Sequence, residues 1–89
     1  MKIKDGFVLR EIAGEDIVVP IGNNIADFNG VIRLNKSAAF LWRALEEDIT
    51  KNDLIKSLIQ EYQIDKNLAI KDVEEFINIL QENKAIVGV

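Results

Sequence analysis

The sequence predicts an α+β fold in which a three-stranded antiparallel sheet is followed by three helices. Two observations indicate this fold: β-forming residues and turn signals fill residues 7–34, and apolar residues at helical spacing fill residues 38–80. A third observation is that the single proline and the five glycines all lie outside the helical patterns. With 89 residues, of which 48% are hydrophobic, we expect a single domain spanning residues 1–89.

The first strand is predicted over residues 7–12, which are rich in β-branched and other apolar side chains. The next four residues are predicted to form a turn, because Gly14 accepts positive φ and Asp16 can bond to its neighbouring backbone. A second strand then covers residues 17–19. It ends at Pro20, which has no N–H to give to a strand ladder.

The third strand is predicted over residues 31–34. A loop over residues 22–24 precedes it, and Asn29 with Gly30 favours a tight turn because both residues tolerate positive φ. The fragment 25–28 between them can pair with the third strand.

Polar capping residues predict where the three helices begin. Asn35 is an N-cap for the first, Thr50 with Asp53 for the second, and either Asp65 or Asn67 for the third. Each helix has an apolar stripe that predicts its buried face. In chain order the stripes are Ala38, Leu41, Trp42, Leu45 and Ile49; Leu54, Ile55, Leu58, Ile59 and Tyr62; and Ala69, Val73, Phe76, Ile77 and Leu80.

This order of elements predicts a winged helix-turn-helix-like arrangement, with the second and third helices as the helix-turn-helix pair. Residues 85–89 are expected to return as a short strand.

The composition argues against catalysis. The chain has no cysteine, so it lacks a thiol nucleophile and a cysteine metal site, and it has no histidine, the commonest general base and neutral metal ligand. The neighbouring carboxylates Asp72, Glu74 and Glu75 do not converge on one ion when they lie on a helix. We expect neither a catalytic site, nor a cofactor, nor a bound metal.

The charge distribution argues against nucleic acid. Residues 45–89 have five basic and ten acidic side chains, and the third helix region has five acidic against three basic groups. Phosphate backbones require the opposite sign. No apolar stretch approaches the roughly 20 residues that span a bilayer. Because the N-terminus also lacks a signal-peptide pattern, a cytoplasmic location and no membrane contact are expected.

The third strand offers a candidate peptide-binding edge, because an edge strand has unpaired N–H and C=O groups that an extended peptide can complete. Alternation along the strand turns either Ile32 and Leu34 inward, or Val31 and Arg33.

A face of the third helix lies next to its core stripe and has two apolar residues and two carboxylates: Leu68, Asp72, Glu75 and Ile79. Such a face can take an apolar anchor and a basic side chain from a peptide. Alternatively, Leu68 and Ile79 contact the strands or a second copy of the chain.

Two segments resemble a known family. Residues 34–42 (LNKSAAFLW) are similar to its Leu-Asn-x-x-Ala/Gly segment, and residues 72–80 (DVEEFINIL) to its Asp-Val-x-x-Phe-Leu/Ile-x-x-Leu pattern. The chain thus resembles the coenzyme PQQ synthesis protein D (PqqD-like) family of stand-alone precursor-peptide recognition elements.

The resemblance implies a non-catalytic domain without a cofactor. Such a domain binds the leader segment of a ribosomally made precursor peptide and docks to a modifying enzyme, commonly a radical SAM enzyme. By position, the peptide would contact Val31, Ile32, Arg33 and Leu34 on the strand, and Leu68, Ala69, Asp72, Val73 and Phe76 on the helix. The alternatives from other classes are a winged-helix DNA-binding regulator and a homodimerising structural module.

Overall fold

A computed structural model describes residues 1–22 and 31–89 of the chain. Within these ranges the strands are β1 (Lys2–Ile3), β2 (Phe7–Ile12), β3 (Glu15–Pro20), β4 (Ile32–Leu34) and β5 (Ile86–Val87). The helices are α1 (Lys36–Ala44), α2 (Lys51–Tyr62) and α3 (Lys66–Glu82). The predicted order, an antiparallel sheet of β2, β3 and β4 followed by three helices, is confirmed.

The turn between β2 and β3 is shorter than predicted. Ala13 and Gly14 both have positive φ, 53° and 81°, which closes an antiparallel hairpin with two residues. Glu15 and Asp16 therefore belong to β3, where Asp16 is paired with Glu11. The predicted four-residue turn is wrong at Glu15 and Asp16, because the positive φ angles of Ala13 and Gly14 complete the turn without them.

The strand β4 pairs antiparallel with β3, and its register places Ile32 opposite Val18 and Leu34 opposite Asp16. Since residues opposite each other share a face, Ile32 and Leu34 lie on the same side of the sheet as the fully buried Val18. Both pack against the core. The first of the two predicted orientations of this strand is thus confirmed.

Side-chain caps begin all three helices in the described ranges. Asn35 Oδ1 accepts a hydrogen bond of 2.8 Å from the Ala38 N–H, and Thr50 Oγ1 accepts one of 3.1 Å from the Asp53 N–H. Asp65, rather than Asn67, is the N-cap of α3, because Asp65 Oδ2 accepts from the Asn67 N–H at 3.0 Å. None of these helices is long and apolar enough to cross a membrane.

The hydrophobic core lies between the inner face of the sheet and the helices. The predicted stripe of α3 is buried throughout, and Trp42 is 1% exposed. Ile49 lies beyond the end of α1 and is only partly buried. Tyr62 is 41% exposed, and its ring meets that of Phe40 edge to face at 5.8 Å between centroids.

The predicted return of the chain after α3 is confirmed by β5, which pairs with β1. The segment around β1 also joins two distant elements, since the Ile3 N–H donates to the Leu45 carbonyl and the Lys4 N–H to the Ala85 carbonyl, each at 2.8 Å. The predicted turn at Asn29 and Gly30, the fragment 25–28 and most of the predicted loop at 22–24 lie outside the described residues.

Candidate functional site

Within residues 1–22 and 31–89, β4 is an edge strand, because β3 is the only strand paired with it. The other side of its backbone therefore has N–H and C=O groups without a strand partner in that part of the chain. Arg33 lies on the outer face of the sheet, and its Nε is 3.8 Å from Glu15 Oε2. Val31, immediately before β4, is 54% exposed. This edge can accept an extended peptide by strand addition.

A small cavity opens between the start of α1 and one face of α3; we call it the α1–α3 cavity. Its volume is about 160 Å³. The cap and first turns of α1 line one side of the cavity with Asn35, Ser37, Ala38 and Leu41. The other side is lined by Asp72, Glu75, Phe76 and Ile79 of α3. Because Asn35 directly follows β4, the cavity begins where the open strand edge ends.

The local sequence explains why α1 starts at this place. Asn35 Oδ1 accepts hydrogen bonds from the Ala38 N–H at 2.8 Å and from the Ser37 hydroxyl at 3.0 Å. This cap turns the chain from the extended conformation of β4 into the helix. The rim of the cavity near β4 is therefore polar, whereas Leu41 and Phe76 supply its apolar wall.

Two carboxylates give the α1–α3 cavity a negative rim. Asp72 is half-buried and Glu75 is exposed, one turn apart on α3. Among the residues described, no Lys or Arg lies within ion-pairing distance, 4 Å, of either one. Lys71 lies one turn before Glu75 and makes no such pair.

The predicted contact residues on α3 fall into two groups. Leu68 is 46% exposed, and Ile79, from the same predicted face, is 42% exposed. Ala69 and Val73 are fully buried, and Phe76 is 4% exposed with part of its surface on the cavity. Of the predicted contact residues on α3, Leu68, Asp72 and Phe76 thus have surface that a ligand can reach, while Ala69 and Val73 hold α3 against the core.

The contribution of α1 to this cavity was not predicted. Ser37, Ala38 and Leu41 line it, although the sequence marks them only as helix-start and core positions. The one available signal was the N-cap: a helix that begins directly after an edge strand places its first turn beside that edge.

An ion pair between Arg43 and Asp16 connects α1 to the sheet. Arg43 Nη2 lies 3.7 Å from Asp16 Oδ1, which is within ion-pairing range but too long for a hydrogen bond. Asp16 Oδ1 is buried and has no hydrogen-bond partner in the described part of the chain. The Asp16–Arg43 contact therefore joins the inner face of β3 to the last turn of α1.

A larger cavity of about 750 Å³ lies on another face of α3, between Met1, the start of α2 and the C-terminal residues. The Lys51–Glu74 ion pair of 2.6 Å lies at its edge. Across residues 1–22 and 31–89, no group of three or more acidic side chains is arranged to hold a metal ion.

The fold and the site together define a winged-helix-like α+β domain with an open strand edge beside a small cavity. The sequence matches the family of coenzyme PQQ synthesis protein D (PqqD) over residues 7–86. The chain therefore belongs to the PqqD family, as its two sequence segments indicated.

Two solved structures are similar to this chain. One is described as "TbiB1 in Complex with the TbiA(beta) Leader Peptide", with 21% identity, a TM-score of 0.78, and coverage of 100% of this chain and 98% of that one. The other is "Lasso peptide synthetase B1 complexed with the leader peptide", with 17% identity, a TM-score of 0.74, and coverage of 98% and 96%. At these identities they show a shared fold. A search of curated proteins gives no significant match.

Proposed function

We propose that residues 1–89 form a non-catalytic recognition domain that binds the leader segment of a ribosomally synthesised precursor peptide. The observation that carries the proposal is the open edge of β4, which ends at the α1–α3 cavity. Membership of the PqqD family supports it, as do the leader peptides named with both similar structures.

The leader would add as a strand beside β4. Backbone hydrogen bonds to Val31, Ile32, Arg33 and Leu34 would set the register of the peptide. Ile32 and Leu34 face the core, so alternate side chains of an added strand would point to the same side, towards α3. Leu68, Asp72 and Phe76 would then contact those side chains, and Ala69 and Val73 would support them from the core.

We further propose that the domain docks to a peptide-modifying enzyme, with a radical SAM enzyme as the expected partner in this family. A leader held on the domain raises the local concentration of the attached core segment, so that modification becomes effectively intramolecular. The chain supplies no chemistry in this scheme, which agrees with its lack of histidine and cysteine. We place it in the cytoplasm, where ribosomal precursors are made.

Two alternatives are less well supported. A DNA-reading helix-turn-helix presents basic and amide groups on its second helix. In α3 the half facing the α1–α3 cavity is acidic. A homodimer would use the same β4 edge to pair with a second copy, so that the edge would be closed to a peptide.

The test is a titration of the ¹⁵N-labelled chain with a synthetic peptide covering the leader half of a short precursor encoded beside its gene. We expect amide shifts concentrated on β4 and α3, with a Kd in the micromolar range or tighter. The matched control is the core half of the same precursor, which should cause no shifts.

The proposal fails if the leader peptide causes no amide shifts in β4 or α3, whether it is added alone or together with the neighbouring modifying enzyme. Sedimentation across a range of chain concentrations separates the homodimer, which would give a concentration-dependent mass without any peptide.

A further inference from the structure

The two carboxylates of the α1–α3 cavity have no cation partner in the described ranges, and they lie beside the apolar residues of the same cavity. Asp16, Asp48, Glu15 and Glu74 each lie within 4 Å of a cationic group, whereas Asp72 and Glu75 do not. The segment 23–30, which is not described, has no Lys or Arg that could pair with them. In the described part of the chain, the rim is therefore open to a basic side chain of a bound ligand.

The same cavity has an apolar wall close to the carboxylates. Phe76 follows Glu75 directly, and Ile79 lies one helical turn beyond it. Leu41 meets them from α1. A ligand side chain in contact with this apolar wall therefore lies close to a ligand side chain in contact with the two carboxylates.

If the ligand binds as an added strand, the strand geometry fixes the spacing between a side chain that reaches the apolar wall and one that reaches the acidic rim. Successive residues of a strand point to opposite faces, so neighbours on one face are two positions apart, or about 6.5–7 Å. One turn of α3 rises about 5.4 Å. One apolar and one basic side chain, at positions i and i+2 of the strand in either order, therefore match the wall and the rim.

We propose that the leader recognised here carries a Lys or Arg two positions away from an apolar residue, the basic group meeting Asp72 and Glu75 and the apolar group entering the α1–α3 cavity. This inference rests on the proposed leader-binding function and adds the chemistry of the ligand. The rim is solvent-accessible, so its contribution is modest and decreases with added salt.

The experiment is a selection from a random library of displayed 12-residue peptides on the immobilised full chain. We expect the enriched peptides to share the apolar and basic pair at i and i+2. The same selection is repeated on an Asp72→Asn/Glu75→Gln variant, which should retain the apolar preference and lose the basic one. It should bind the peptide selected on the unmodified chain about three- to ten-fold more weakly.

The matched control is Glu46→Gln/Glu74→Gln, which changes the net charge equally but alters no residue of the cavity. It should bind that peptide within about two-fold of the unmodified chain. A charge-reversed variant, Asp72→Lys/Glu75→Lys, should select acidic residues at the same position.

Three outcomes overturn the inference, and they are distinguishable. Peptides that bind at β4 and α3 without any Lys or Arg enrichment contradict the ligand chemistry and leave leader binding intact. Equal weakening by the cavity and control variants shows a long-range effect of net charge. Failure to enrich any peptide contradicts the proposed function itself, and the inference with it.

Discussion

Lys51 Nζ donates a hydrogen bond of 2.6 Å to Glu74 Oε2, which joins the first turn of α2 to the middle of α3. At 100° per residue, Glu74 lies about 160° around the helix from Asp72. The neutralised carboxylate thus faces the larger cavity, while the carboxylates without partners face the α1–α3 cavity. On α3, therefore, Glu74 pairs with α2, whereas Asp72 and Glu75 on another face are accessible to a ligand.

Removal of the Lys51–Glu74 pair should affect stability only slightly, because both side chains are about half exposed. In a double-mutant cycle of Lys51→Met and Glu74→Gln, we expect a coupling free energy of about 0.2–1 kcal/mol. Urea denaturation of the four proteins measures it. A coupling above about 2 kcal/mol would mean that the pair is shielded from water, contrary to its exposure.

Substitutions at Val73 and Leu68 should affect different properties, the first the stability of the domain and the second its affinity for the peptide. Val73→Ala removes two methyl groups from a fully buried site and should lower the free energy of unfolding by about 1–3 kcal/mol. Leu68→Ala, at a site 46% exposed, should change it by less than about 0.5 kcal/mol yet weaken peptide binding. Urea denaturation and a binding titration of both variants check this. If Leu68→Ala binds as tightly as the unmodified chain, Leu68 lies outside the contact surface.

Arg43→Met should destabilise the protein through Asp16. The Asp16 side chain is 16% exposed, and Arg43 is its only ion-pair partner in residues 1–22 and 31–89. Loss of that cation leaves a largely buried carboxylate uncompensated, and we expect a cost of about 1–2 kcal/mol. In an Asp16→Asn background the same substitution should cost less. Equal costs in both backgrounds, measured by denaturant unfolding, would show that the two side chains do not interact.

The pKa of the Asp48 carboxyl lies below its ordinary value, mainly because the α-amino group of Met1 donates a hydrogen bond of 2.9 Å to it. A carboxyl whose pKa is lowered by folding stabilises the protein above its unfolded pKa, and that contribution is lost as the pH falls through the folded pKa. A ¹³C titration of the Asp48 carboxyl should show the lowered pKa. Acetylation of the N-terminus should return it towards the ordinary value, and an unchanged pKa would contradict this account.

Local chemistry explains what the sequence could predict. Asn35 and Thr50 were identifiable as caps, and the cap of α3 could be reduced to Asp65 or Asn67, because a short polar side chain before an apolar stripe favours that role. The buried stripe of α3 was equally readable, since its spacing depends only on helix geometry.

Features that depend on tertiary contacts could not be predicted in the same way. The strand β1 has two residues, too few for any periodicity, and it pairs with β5 only once the rest of the chain has folded. Asp16, predicted in the turn, is a strand residue paired with Glu11, and its ion-pair partner Arg43 lies on another element. The α1–α3 cavity likewise exists only where Leu41 meets Phe76, and neither residue has a local signal for it.

Amide hydrogen exchange at β4, measured with and without the leader peptide, tests the central claim most directly. Alternate N–H groups of a strand point to opposite sides, so β4 presents some amides to β3 and the others to its open edge. Strand addition predicts that the peptide slows exchange at the edge-facing amides among Ile32, Arg33 and Leu34, and much less at those bonded to β3. A peptide that binds with saturable shifts elsewhere and leaves the exchange of all three amides unchanged would contradict strand addition at β4.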